Sequence, residues 1–171
     1  MDAPRISRVG ILSACAVAVY VFESFLPVPV PWARIGLSNV VVILALFGFG
    51  LREALLVTLV RVAAGNLLLG LLLSPSFVMS LAGAIASVLA MEVARRVMIP
   101  PLSLVGASVL GAVLNNVAQI QVFAVLFTGG GAPRELMGTF MIIGAAVGLV
   151  TGMLASVLLD KVVLESTRRL G

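Results

Sequence analysis

Six apolar runs, separated by proline, glycine or charged residues, divide the chain into predicted membrane-spanning helices. A bilayer core about 30 Å thick requires roughly 20 apolar residues, since a helix rises about 1.5 Å per residue. Most runs end at proline or glycine, which interrupt a helix. The predicted spans are residues 9–26, 35–49, 54–73, 77–94, 102–127 and 136–159. We therefore predict an all-α polytopic bundle of six transmembrane helices, in one integral membrane domain over residues 1–171.

Composition supports a membrane protein and excludes several other classes. The chain is 61% hydrophobic and 11% charged, whereas soluble domains average about 45–50% and about 25%. A soluble enzyme, a disulfide-rich exported scaffold and a disordered tail are therefore excluded. The chain has no histidine and one cysteine, and it contains no P-loop, no Cys/His metal spacing and no Asp-rich motif of prenyl-transfer enzymes. We expect no metal or other cofactor, no ATP site and no catalytic residues.

The distribution of basic residues predicts the orientation of the bundle. With the N-terminus inside, the cytoplasmic segments hold Arg5, Arg8, Arg52, Arg95, Arg96, Lys161, Arg168 and Arg169, whereas the outer loops hold Arg34 and Arg134. Lys and Arg accumulate on the cytoplasmic side of membrane proteins. We predict that both termini are cytoplasmic, in a prokaryotic cytoplasmic membrane. The formal charge of +4 then reflects this face, with lipid around the bundle and no nucleic-acid partner.

Polar residues inside the apolar runs are candidate substrate-binding residues, because polar and ionisable groups are costly in hydrocarbon. Counting residues along each helix places most of them in the outer half of the membrane. We predict that they line a pocket opening outward: Glu23, Asn39, Arg61, Asn66, Asn115, Asn116 and Gln119. The alternative for each amide is a hydrogen bond between helices. Arg61 has alternatives too: pairing with Glu23 or Glu53, binding an anionic ligand, or extending to the interface.

Small residues recur every fourth position on three predicted helices. The rows are Gly10, Ala14 and Ala18; Ala82, Ala86, Ala90 and Ala94; and Gly144, Gly148 and Gly152. Such rows allow helix backbones to approach closely. Packing within the bundle accounts for any one row, but we predict that Gly10, Ala14 and Ala18 dock a partner protein.

Four segments together resemble a known family. They match a [KR]-[LI]-G-L-[AS]-N stretch at 34–39, a [KR]-E-A-L…R stretch at 52–61, an SPSF-x-x-SLAGA stretch at 74–84 and a GA-x-x-[HN]-N-x-x-Q stretch at 111–119. The chain is similar, over nearly its whole length, to the Gx transporter family, also labelled heptaprenyl diphosphate synthase component I.

The resemblance implies a function and a set of partners. The family is similar to the substrate-binding S components of energy-coupling factor (ECF) transporters, which are N-in/C-in six-helix proteins. These bind a small nutrient near the outer side and dock a transmembrane coupling subunit with two ATPases. Ala14 and Ala18 match their Ala-x-x-x-Ala docking pattern. We predict a substrate-binding subunit for a small anionic or isoprenoid-related solute; the alternative is a membrane accessory of a heptaprenyl or polyprenyl diphosphate synthase.

Overall fold

The chain folds into six helices joined by short connections. The computed structural model describes residues 3–25, 36–97, 103–130 and 134–168, and within these ranges no strand occurs. The helices are α1 Ala3–Glu23, α2 Ser38–Phe49, α3 Leu51–Leu68, α4 Pro75–Val97, α5 Leu104–Phe127 and α6 Arg134–Arg168. The predicted all-α class is confirmed over these ranges. The predicted proline-rich loop with Arg34, and Arg169, lie outside the described residues.

Four of the described helices are long and apolar enough to cross a membrane, so the chain is membrane-embedded. Their candidate spans are Arg5–Glu23, Pro75–Val97, Leu104–Phe127 and Leu136–Lys161. α3 carries Arg52, Glu53 and Arg61 within its 18 residues, and α2 has only 12. Length and composition thus identify four spans, while the count of six and the orientation stay predictions.

α2 is a short helix that lies inside the bundle. It packs against α1, α3, α4 and α6, and Val42, Ile43, Ala45 and Leu46 are almost completely buried. Twelve residues span only about 18 Å of helix. An apolar helix of this length is typical of a buried core rather than of an independent span.

Two glycines with positive φ lie at the ends of α2 and α3. Gly50 alone links α2 to α3, with φ +103°, and its N–H donates to the Ala45 and Leu46 carbonyls at 3.1 Å. Gly70 has φ +70° and ends α3 in a Schellman motif, in which Leu71 N–H donates to the Asn66 carbonyl at 2.8 Å. α3 therefore stops at Leu68, five residues before the boundary expected from the apolar run.

The glycine row on α6 packs within the bundle, against α5. A Cβ at Gly148 would lie 2.5 Å from the Val109 Cα, and one at Gly152 would lie 2.8 Å from the Val105 Cα. The backbones of α5 and α6 are therefore in contact along this seam. For this row, packing inside the bundle is the alternative that the structure favours.

Candidate functional site

Polar side chains from five helices converge on one small cavity near the α1 C-terminus, where α1–α5 meet. We call it the polar cavity; it measures about 40 Å³, and its polar lining is Tyr20, Ser38, Asn39, Arg61, Ser80, Asn115 and Gln119. Four of the seven predicted binding residues are thus brought together: Asn39, Arg61, Asn115 and Gln119. Glu23, Asn66 and Asn116 do not line this cavity.

Arg61 supplies the formal charge at the polar cavity. Its side chain is buried, with 4% exposure. One guanidinium nitrogen, Nη1, donates to the Ser38 Oγ at 2.9 Å and to the Asn39 Oδ1 at 2.8 Å. The guanidinium carbon lies 5.8 Å from the centroid of the Tyr20 ring, within range of a cation–π interaction. The guanidinium is therefore held in place by α1 and α2 as well as by its own helix.

Glu23 caps the start of α2 from the end of α1. Its carboxylate accepts from the backbone N–H of Leu37, from the Ser38 N–H at 3.2 Å and from the Ser38 hydroxyl at 2.7 Å. Helix N-termini present backbone N–H groups and a partial positive charge, which stabilise a carboxylate. Glu23 and Arg61 are thus linked through the Ser38 hydroxyl, which donates to the acid and accepts from the base.

Glu53, another predicted partner of Arg61, lies elsewhere. Its carboxylate forms an ion pair with Arg5 of α1. This pair joins the first helical turn of α3 to the N-terminal part of α1, away from the polar cavity.

Asn66 supports Tyr20, which in turn lines the polar cavity. Asn66 is fully buried, and its Nδ2 donates to the Tyr20 hydroxyl at 2.7 Å and to the Val62 carbonyl at 2.8 Å. Gly65 allows the ring to approach, because a Cβ there would lie 2.2 Å from the Tyr20 Cδ1. Asn66 therefore acts on the cavity through Tyr20 rather than by facing it.

On α5, adjacent asparagines have different environments. Asn115 and Gln119 face Gly83 of α4, where a Cβ would lie 2.6 Å from the Asn115 Oδ1 and 2.8 Å from the Gln119 Cγ. Asn116 instead donates to the Phe140 carbonyl of α6 at 2.8 Å. Asn116 therefore forms the interhelical hydrogen bond that was the alternative to a binding role.

The volume of the polar cavity limits what it holds in this conformation. About 40 Å³ accommodates a few water molecules, since one water needs roughly 10–15 Å³ by this measure. Pockets for drug-sized molecules span about 300–1,000 Å³. The cavity is therefore too small for a solute of more than a few atoms, which enters only if the lining side chains or helices move apart.

Sequence reasoning missed three hydroxyl groups of the lining: Tyr20, Ser38 and Ser80. Tyr20 had a usable signal, because it is the only tyrosine in the chain and lies one helical turn before Glu23. A tyrosine hydroxyl in an apolar helix needs a partner. The serines had no comparable signal, since serine in a membrane helix also bonds to its own backbone.

The predicted docking row lies on an exposed face of α1. Gly10, Ala14 and Ala18 are exposed and line an apolar groove of about 780 Å³, which Val60 and Leu68 of α3 border. A Cβ at Gly10 would meet no atom within 4 Å. Unlike the α6 row, this one is not used in packing among the described helices.

Comparison with known proteins gives one match. The family model for heptaprenyl diphosphate synthase component I matches residues 12–158, which includes α2–α5 and most of α1 and α6. No curated protein and no solved structure matches the chain. The heptaprenyl diphosphate synthase component I label, given from the four sequence segments, is confirmed. Within the described residues, no group of three or more Asp, Glu or Cys side chains is arranged to hold a metal ion.

Proposed function

We propose that this chain, which belongs to the heptaprenyl diphosphate synthase component I family, is the substrate-binding membrane subunit of an ECF-type uptake transporter. The observation that carries this proposal is the polar cavity, where polar side chains of five helices meet inside a mainly apolar bundle. Buried ionisable residues in membrane segments are costly and typically mark binding sites or ion pathways. Here Arg61 is positioned by Ser38 and Asn39, and the Asn115 and Gln119 amides line the same space.

The lining favours a small solute with an anionic group. Among the described lining residues, Arg61 carries the only formal charge, because Glu23 lies behind Ser38. Guanidinium and amide groups together supply the donors that a carboxylate or phosphate accepts. The family description adds an isoprenoid-related compound as a candidate.

The exposed groove on α1 supports a transmembrane partner. A helix of a coupling subunit fits against Gly10, Ala14 and Ala18, because small side chains allow close backbone approach in lipid. The sequence contains no P-loop, so a partner with ATPase subunits would supply the energy for uptake.

A second candidate function follows from the family's description. In it, the chain is a membrane accessory of a polyprenyl diphosphate synthase, and the polar cavity joins helices rather than binding solute. An acidic partner would bind a basic surface such as that formed by Arg95 and Arg96, but the positive charge of this surface is partly neutralised. Arg95 and Arg96 both contact Glu92, at 2.8 Å and 2.5 Å.

The test is purification of the tagged full-length chain from its native membranes in a mild detergent, with mass spectrometry of the co-purifying proteins. We expect a transmembrane coupling subunit and ATPases. Ala14→Leu should abolish their recovery by filling the groove. Ala146→Leu is the matched control, since Ala146 is exposed on α6 and α6 does not border the groove.

The outcomes separate the two candidates. Recovery of a polyprenyl diphosphate synthase without ATPases would support the accessory function. If coupling subunits co-purify and Ala14→Leu does not reduce their recovery, the transport proposal stands but the docking site is not on α1.

A further inference from the structure

A second charged cavity lies near the N-terminal end of α1, far from the polar cavity. We call it the basal cavity; it measures about 400 Å³, and its lining includes Arg5, Arg8, Gly48, Phe49 and Glu53. It opens between α1 and the turn that joins α2 to α3. Arg8 and Tyr20 are twelve residues apart on α1, which corresponds to about 18 Å of helix. The two cavities are therefore separate sites.

The basal cavity has an excess of positive charge. It contains two arginines and one glutamate, a net formal charge of +1. Arg5 is paired with Glu53. Arg8 is exposed, and among the described residues no carboxylate lies within ion-pair distance of it. Its guanidinium carbon instead lies 5.7 Å from the centroid of the Phe49 ring. Arg8 therefore keeps donors available to an anion while its guanidinium lies beside an aromatic ring.

The shape of the cavity suits a phosphate ester better than a bare ion. Its volume is within the range of about 300–1,000 Å³ typical of ligand sites, and Val9, Leu12 and Phe49 supply apolar walls beside the arginines. A Cβ at Gly48 would meet no atom within 4 Å, so the space beside the turn is open. Guanidinium groups bind phosphate oxygens through paired, charge-assisted hydrogen bonds.

We propose that the basal cavity binds the phosphate group of an amphipathic ester, with Arg8 as the principal contact and Arg5 as the second. Basic pockets between membrane helices are a known setting for anionic lipid headgroups. The same chemistry would also accept phosphate from a soluble source. Neither source depends on the transport role proposed for the polar cavity.

The test is a lipid titration of the full-length chain in a zwitterionic detergent, followed by native mass spectrometry. The probes are phosphatidylglycerol and, as the comparison lipid without a phosphate group, diacylglycerol. We expect phosphatidylglycerol to bind more tightly and Arg8→Gln to weaken it about fivefold, the effect of one basic residue near an anionic lipid. Lys161→Gln is the charge-matched control, because Lys161 is exposed and does not line the cavity; it should leave the affinity unchanged.

A variant that is expected to raise the affinity distinguishes a specific effect on binding from a general loss of folding. Glu53→Gln removes the counter-charge of Arg5, so phosphatidylglycerol affinity should rise. Inorganic phosphate added as a competitor identifies the source. Displacement of the lipid means that the cavity recognises phosphate alone, and retention of the lipid means that it requires the headgroup ester. Equal affinity for the two lipids, or equal effects of Arg8→Gln and Lys161→Gln, would overturn the proposal.

Discussion

The Ser38 hydroxyl connects two buried groups of opposite charge. Burying an isolated carboxylate or guanidinium costs several kcal/mol, so each needs compensating partners. Glu23 obtains three donors at the start of α2, and Arg61 obtains two acceptors and the Tyr20 ring. Because Ser38 serves both, α1, α2 and α3 are fixed relative to one another at the point where the polar cavity forms.

Glu23→Gln should destabilise the protein by about 1.5–3 kcal/mol, the usual contribution of a hydrogen bond to a charged group. Glutamine retains the size of glutamate but removes the charge and replaces one of the two accepting oxygens with an N–H₂ group. Asp160→Asn is the control, since Asp160 is exposed, and it should have little effect. The measurement is thermal unfolding of both variants in the same detergent; equal melting temperatures would contradict the capping role.

The Gln119→Ala variant should lose bound solute, whereas the Gln121→Ala variant should retain it. Both glutamines are on α5, but Gln119 lines the polar cavity and Gln121 is exposed. Loss of one amide hydrogen bond costs about 1 kcal/mol, or roughly fivefold in affinity. The check is native mass spectrometry of small molecules that co-purify with each variant. If both variants retain the solute equally, it does not bind in the polar cavity.

Helix rotation explains which predicted site residues face the polar cavity. Depth along a helix follows from counting residues, which put Asn39, Asn115 and Gln119 in the outer half of the membrane and Arg61 nearer the cytoplasm, although all four line the polar cavity. Rotation about the helix axis depends on the neighbours that pack around it, and no residue count determines it. Gln119 lies about 40° from Asn115, whereas Asn116 lies about 100° away, which is enough to direct it to α6.

Helix boundaries, too, could be predicted only in part from the sequence. The apolar runs predicted all six described helices because apolar length is visible in the sequence. They could not predict the end of α3, because Leu71, Leu72 and Leu73 continue the apolar run beyond the helix. The left-handed conformation of Gly70 ends it instead. Hydropathy averages over such a residue, and glycine is common inside membrane helices too.

Gly148→Ala should destabilise the bundle by about 1–3 kcal/mol, the usual cost of overpacking. The added methyl group would lie 2.5 Å from a backbone atom of α5, so the helices would have to separate. Gly138→Ala on the same helix meets no atom within 4 Å and serves as the control. Thermal unfolding in detergent compares the two; a Gly148→Ala variant as stable as Gly138→Ala would show that the seam is loosely packed.

Across the whole molecule, the two cavities lie near opposite ends of α1. The polar cavity is close to its C-terminal end and the basal cavity to its N-terminal end. Most described basic residues belong to segments predicted to share a face with the basal cavity: Arg5, Arg8, Arg52, Arg95, Arg96 and Lys161. If this face is cytoplasmic, as the positive-inside rule predicts, the polar cavity is nearer the outer side, where an uptake protein would receive its solute.

Cysteine accessibility in intact cells tests this orientation. Two single-cysteine variants, Gly130→Cys and Lys161→Cys, are made in a Cys15→Ala background. Position 130 follows α5 and position 161 lies in the last part of α6, and both native residues are exposed. We expect a membrane-impermeant maleimide to label position 130 in intact cells and position 161 only after permeabilisation. The reverse pattern would place the basic residues outside and the polar cavity nearer the cytoplasm. An uptake subunit would then meet its solute on the wrong side, so this result would argue against transport inward even if the polar cavity binds a ligand.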